Sequence, residues 1–166
     1  MLGDSKVRHI DITFGGRSRK RKTRLYLPGA RMDRVGTRLD MWLGNDRTTP
    51  IVVLSTGGNN FGKVRCEDLF RRFKQPLDKI RNKIKILVVC SVLSRWGQSV
   101  EWLSRVIAVN CRLANHCKST TCTFIDKWNL FYGKDTLYGR NGTHLSLQGV
   151  RVLAGTLEQQ INTLKH

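Results

Sequence analysis

Four positions spread along the chain have the chemistry of acyl transfer: Ser5, Gly29, Asn59 and His144. A serine hydroxyl becomes a nucleophile when a base beside it takes its proton. The tetrahedral intermediate then needs N–H donors aimed at the oxygen that turns negative. Ser5 closes the tripeptide Gly3-Asp4-Ser5, a turn that can lift a hydroxyl clear of the backbone. His144 is the candidate base, and the donors are the backbone N–H groups of Ser5 and Gly29 and the side-chain amide of Asn59. Gly29 suits a donor position because a missing Cβ lets a substrate come close to the backbone. Each residue also has a plainer reading: Gly29 as a turn glycine after Pro28, Asn59 as a loop-stabilising amide, His144 as a loop histidine before a helix.

The intervening sequence predicts the elements that would position them. Val7, Ile10 and Phe14 are spaced for a short helix after Ser5, followed by Gly15-Gly16 and a basic run. Leu25-Tyr26-Leu27 reads as a strand stopped by Pro28-Gly29. Met32, Val35, Leu39 and Trp42 mark a helix ending near Gly44-Asn45. Ile51-Val52-Val53-Leu54 and Ile86-Leu87-Val88-Val89 are apolar runs of the kind buried on both faces of a parallel sheet. Between them Leu69, Phe73, Leu77, Ile80 and Ile84 define a helix that Pro76 is expected to kink or interrupt. Val100, Leu103, Ile107, Cys111 and Ala114 define the face of the next helix, and residues 121–125 a last strand. Trp128, Phe131, Tyr132 and Tyr138 lie in a loop read as cover for the core, with a substrate wall as the alternative. A final helix with Val150, Leu153, Leu157, Ile161 and Leu164 on one face starts after Ser146, its expected N-cap.

Strands alternating with helices, without repeats or linkers, predict one α/β domain over residues 1–166 with a parallel sheet. Ligands bind at the C-terminal ends of the strands in such sheets. The loops carrying Gly29, Asn59 and His144 are therefore expected on one rim.

The net charge of +18, from 30 basic and 12 acidic residues, is the compositional outlier. It favours RNA, DNA or an anionic surface as partner. Arg17, Arg19, Lys20, Arg21, Lys22 and Arg24 concentrate part of it, and the alternative is an ordinary exposed loop. No apolar run approaches the roughly 20 residues of a membrane-spanning helix, and no signal-peptide pattern opens the chain. The five cysteines are odd in number and sit mostly in apolar segments, which points to reduced, buried thiols and an intracellular (cytoplasmic or nuclear) setting. Cys111, His116, Cys117 and Cys122 match no zinc spacing well, so no metal is expected. His9, His116 and His166 have no catalytic context and read as surface residues.

Taken in order, these motifs resemble the SGNH (GDSL-like) hydrolases. Gly3-Asp4-Ser5 is similar to the family's first block and Gly29 to its second. Gly57-Gly58-Asn59-Asn60 is similar to the Gly-x-Asn-Asp third block, and Asn141-Gly142-Thr143-His144 to the Asp-x-x-His fifth. The text around Leu27-Pro28-Gly29-Ala30-Arg31 and Gly142-Thr143-His144-Leu145-Ser146 also resembles vertebrate retroelement-derived copies of the domain. The resemblance implies a flavodoxin-like three-layer α/β/α sandwich and hydrolysis of a small ester by Ser5 and His144, without cofactor or metal.

Two departures accompany it. Asn141 stands at the acid position, where a carboxylate would accept the His144 Nδ1 proton and stabilise the imidazolium. Asn60 likewise replaces the acid of the third block. Only Met1-Leu2 stand where the family has a central strand before its first block. The first strand is therefore expected to be truncated, either because the sequence is N-terminally incomplete or because the sheet closes less well. Three readings stay open: a serine esterase weakened by Asn141, a catalytically inactive module of that fold binding RNA or DNA through its basic surface, and a decaying copy under no functional requirement.

Overall fold

The computed structural model describes residues 1–3, 6, 9–10, 25–26, 31–44, 51–55, 58–61 and 64–164. Five strands form one parallel sheet: β1 (Leu2–Gly3), β2 (Leu25–Tyr26), β3 (Ile51–Ser55), β4 (Ile86–Cys90) and β5 (Cys122–Ile125). Their spatial order is β2-β1-β3-β4-β5. This is the flavodoxin-like doubly wound order, whose winding reverses between β1 and β3. The expected central strand is present in short form. Leu2 pairs with both Leu25 and Leu54, and Gly3 with both Tyr26 and Ser55. Two residues thus bridge β2 to β3 and give the neighbouring backbones their partners.

Alternation along the central strands divides the core in two. Val52, Leu54, Leu87 and Val89 face α1 (Met32–Gly44), α2 (Cys66–Ile80) and α3 (Val100–Lys118). Val53, Val88, Cys90 and Ile125 face the other way, toward α5 (Leu147–Thr163) and the segment containing the short α4 (Trp128–Phe131). Side chains of successive strand residues point to opposite faces, so a continuous apolar run needs cover on both. The three-layer sandwich follows.

α1 buries Met32, Val35 and Leu39 as expected, with Leu43 completing the stripe and Trp42 half-buried. α5 buries Val150, Leu153, Leu157 and Ile161, and the Ser146 hydroxyl accepts the Gly149 N–H at 3.1 Å as its N-cap. In the aromatic segment Phe131 and Tyr138 are buried in the second core, whereas Tyr132 is exposed and stacks on Trp128.

Four expectations are corrected. Pro76 does not interrupt α2, which runs unbroken past it while the proline ring packs against Gly36 of α1. α3 turns a different face inward: Val106, Val109, Asn110, Leu113, His116 and Cys117 are buried, while Val100, Ile107 and Cys111 are exposed. Both stripes have helical spacing, and the buried one contains two polar residues that an apolar pattern discounts. Asn110 is satisfied there because its Oδ1 accepts the Val92 N–H (2.8 Å) and its Nδ2 donates to the Val92 carbonyl (3.0 Å). His116, expected at the surface, is buried against Phe70 with Nε2 3.2 Å from Asp78. Lastly, of the helix expected after Ser5, Lys6 lies in a 3₁₀ turn and His9 and Ile10 in a hydrogen-bonded turn; its other positions lie outside the described residues.

All five cysteines are free; Cys90 and Cys117 are buried, Cys66 and Cys122 half-buried. The neighbouring Cys117 and Cys122 thiols act on each other, drawing that of Cys122 below its ordinary value and pushing that of Cys117 up. Among the described residues no cluster of three or more His, Cys, Asp or Glu could hold a metal ion, and no helix is long and apolar enough to cross a membrane.

Candidate functional site

In a doubly wound sheet the ligand crevice opens beyond the carboxyl ends of the strands where the winding reverses. That point lies between β1 and β3. Asn59 sits there, in the 3₁₀ turn Gly58–Asn60 that follows β3. Ser5 and Gly29, expected on the same rim, lie outside the described residues, as does the basic run Arg17, Arg19, Lys20, Arg21, Lys22 and Arg24. Lys6, next in sequence to Ser5, is described and buried. Its ammonium donates to the carbonyls of Leu93 (3.2 Å) and Ser94 (3.4 Å), just beyond the end of β4.

His144 is exposed and ends a turn built by local hydrogen bonds. The Asn141 Oδ1 accepts the N–H groups of Thr143 and His144, both at 3.0 Å. The Asn141 Nδ2 lies 2.6 Å from the His144 Nδ1. This network sets the orientation of the amide, because a flip would press its NH₂ against two backbone N–H groups. An amide nitrogen only donates, so Nδ1 accepts and the neutral imidazole carries its proton on Nε2. A carboxylate of the same shape would keep both backbone bonds and accept a proton from Nδ1 instead. Asp135, the acidic residue that could substitute for the carboxylate Asn141 replaces, is exposed, and no ion pair joins it to His144 among the described residues.

The segment 91–96 connects these parts. The Ser91 N–H donates to the Ile125 carbonyl at 2.9 Å, and Val92 is clasped by Asn110. Leu93 and Ser94 receive Lys6. The Tyr138 hydroxyl donates to the Ser94 carbonyl at 2.7 Å and lies 2.9 Å from the Ser94 hydroxyl. Burial pushes the Tyr138 phenol up, which keeps it protonated for that bond. Arg95 Nη2 donates to Asn59 Oδ1 at 3.1 Å, and the Trp96 N–H donates to the Gly142 carbonyl at 2.9 Å. Gly142 has φ +64°, and a Cβ there would come within 2.7 Å of the Trp96 carbonyl oxygen. Glycine is therefore required at that point of the His144 turn. None of these partners is periodic or adjacent in sequence, so no motif announced them.

Comparison with solved structures matches this architecture over nearly the whole chain. A lipase/acylhydrolase from Enterococcus faecalis superposes with a TM-score of 0.76 at 14% identity, over 96% of this chain and 93% of its own. The fold is that of the SGNH (GDSL-like) hydrolases. The esterase domain of a zebrafish retrotransposon ORF1 protein is similar at 28% identity, over 97% of this chain and 96% of its own, with a TM-score of 0.56. The OSK domain of Drosophila Oskar shares the SGNH fold at 12% identity and a TM-score of 0.74, over 95% of this chain and 86% of its own. No protein-family model and no curated protein sequence matches the chain. The SGNH fold and the likeness to a retroelement esterase domain thus agree with the order of the motifs.

Proposed function

We propose that the chain is an SGNH-type serine ester hydrolase held at low turnover by Asn141. Ser5 is the nucleophile on a small acyl or acetyl ester and His144 its base. The Ser5 and Gly29 N–H groups and the Asn59 amide are the oxyanion donors. The order of the motifs, the position of Asn59 at the switch point and the likeness to a retroelement esterase domain support this reading.

The contact between Asn141 and His144 is the observation that carries the low turnover. A base for Ser5 must accept at Nε2, the nitrogen that this tautomer leaves protonated. Moving the proton to Nδ1 would set it against the Asn141 NH₂. Attack on the ester would then proceed through a minor tautomer, with an amide in place of the carboxylate that would stabilise the imidazolium. The equivalent acid-to-amide change in a serine protease lowers turnover about 10⁴-fold.

Hydrolysis of p-nitrophenyl acetate by the chain, by Ser5→Ala and by Asn141→Asp tests this. Asn141→Asp is expected to accelerate turnover strongly, and Ser5→Ala to abolish the gain. A rate equal to the Ser5→Ala background in both other proteins would sink the enzyme reading.

A second reading rests on charge. Six of the eight residues from Arg17 to Arg24 are basic, within a chain of net charge +18. An SGNH-fold module that binds RNA or DNA through this run would lose affinity steeply between low and physiological salt. Neutralising Arg19, Arg21 and Lys22 without changing affinity for a random RNA would count against it.

A further inference from the structure

We propose that Arg95 is a positioning residue that fixes the Asn59 amide as an oxyanion donor; the assignment rests on the hydrolase reading above. An asparagine side chain can turn either end of its amide toward a substrate, and only the Nδ2 end stabilises an oxyanion. Here the Oδ1 end is held by Arg95 Nη2 at 3.1 Å. Because oxygen and nitrogen lie on different sides of Cγ, anchoring Oδ1 on the guanidinium turns Nδ2 away from it. A cation cannot accept a hydrogen bond, so the reversed amide has no partner at Arg95.

The guanidinium is itself held in place. It lies over the Trp102 ring, with Cζ 5.6 Å from the centroid, and Trp102 packs at 5.6 Å against Phe61. Phe61 is buried two residues beyond Asn59, so the loop that carries the amide also seats the residue that orients it. The backbone at Gly58 leaves room for the approach, since a Cβ there would sit 3.0 Å from Arg95 Nη2. The neighbouring Trp96 N–H holds the Gly142 carbonyl of the His144 turn. Arg95-Trp96 therefore sets the register between the Asn59 loop and the His144 loop, whose groups must serve one reacting ester, Asn59 at its oxygen and His144 at the Ser5 hydroxyl. A lysine would supply a point charge without the planar fork that stacks on Trp102 and meets the amide in one geometry.

The test compares Arg95→Met, which preserves bulk over Trp102, and Arg95→Lys, in the natural chain and in Asn141→Asp. In Asn141→Asp, Arg95→Met is expected to lower kcat for p-nitrophenyl acetate about 10- to 100-fold with KM changed by less than about twofold. Arg95→Lys should recover part of the loss. The second readout is the ¹H–¹⁵N resonance pair of the Asn59 side-chain amide, identified by its loss in Asn59→Asp. It should move in Arg95→Met toward the values of a solvent-exposed amide and less far in Arg95→Lys, while the rest of the spectrum remains folded. An unmoved pair in Arg95→Met would overturn the proposal. A moved pair with unchanged kcat would overturn its catalytic part. If Asn141→Asp shows no Ser5-dependent turnover, the hydrolase reading fails and takes the oxyanion role of Asn59 with it, while the amide resonance still decides whether Arg95 orients Asn59.

Discussion

Asn141 reaches His144 across three positions of the chain, whereas Asn59 is reached by Arg95 across 36. The His144 turn closes on itself through Asn141, two backbone N–H groups and the left-handed Gly142. The Asn59 loop depends on a side chain delivered from the far end of β4 and seated on a tryptophan of α3. A local turn carries its chemistry with it, so changing one residue there alters the chemistry and leaves the geometry. A group held from a distance has its chemistry intact and its geometry at risk whenever the distant support changes. The two loops are therefore expected to behave differently under mutation.

Asn141→Asp breaks the comparison most strongly. It should raise Ser5-dependent ester turnover by up to about 10⁴-fold. Imidazole ¹⁵N spectra should show the His144 proton on Nε2 in the natural chain and on Nδ1 in Asn141→Asp. A proton already on Nδ1 in the natural chain would contradict the amide orientation and the cause assigned to low turnover.

On the distant side, Asn110→Ala removes both partners of the Val92 backbone within the segment that presents Arg95. Two buried groups left unsatisfied should cost roughly 2–5 kcal/mol of stability, read as a lower urea midpoint. The His144 turn should keep its tautomer in the folded fraction. A loss of the Nε2–H signal would show that the turn is not independent of its surroundings.

Gly142→Ala probes the junction between the two. It forces a Cβ into a left-handed position against the Trp96 carbonyl and should cost about 1–3 kcal/mol. The measured cost should be absent for alanine at Gly155, whose Cβ would meet nothing within 4 Å.

The smallest effect is expected far from the site, where charge alone acts. Hydrogen bonds from Lys79 and then Lys83 hold the Asp40 carboxyl at about 2, down from 3.8. The folded state thus prefers the ionised form, and the stabilisation is complete above the unfolded value and lost as pH falls from near 3.8 through about 2. Asp40→Asn should lower the melting temperature slightly at pH 7, less in high salt, and not at all well below pH 2. An equal effect at both pH values would mean that packing, not charge, explains the pair.

Much of this molecule is legible in its sequence. β3 and β4 are short apolar runs bounded by turn residues, and α1 and α5 carry a single apolar stripe. Their type and buried face follow from period alone. α3 was misread because it carries two stripes of helical spacing, and spacing cannot say which one meets the sheet. His116 was misplaced for the same reason: its cover, Asp78 and Phe70, comes from α2. Pro76 was judged by its missing N–H, while its seat on Gly36 belongs to another helix.

In the candidate site the division is similar. The sequence alone determined which side chains can do acyl-transfer chemistry and that an amide stands where an acid would serve His144, because those are properties of residue type and short spacing. It also determined the parallel α/β class, through alternating periodicity. Only the tertiary structure decided which way the Asn141 amide faces, that Leu2–Gly3 completes the sheet, and that Arg95 holds Asn59. Each of these depends on which groups compete for a partner in space. The distances that settle such competition exist only once the chain has packed.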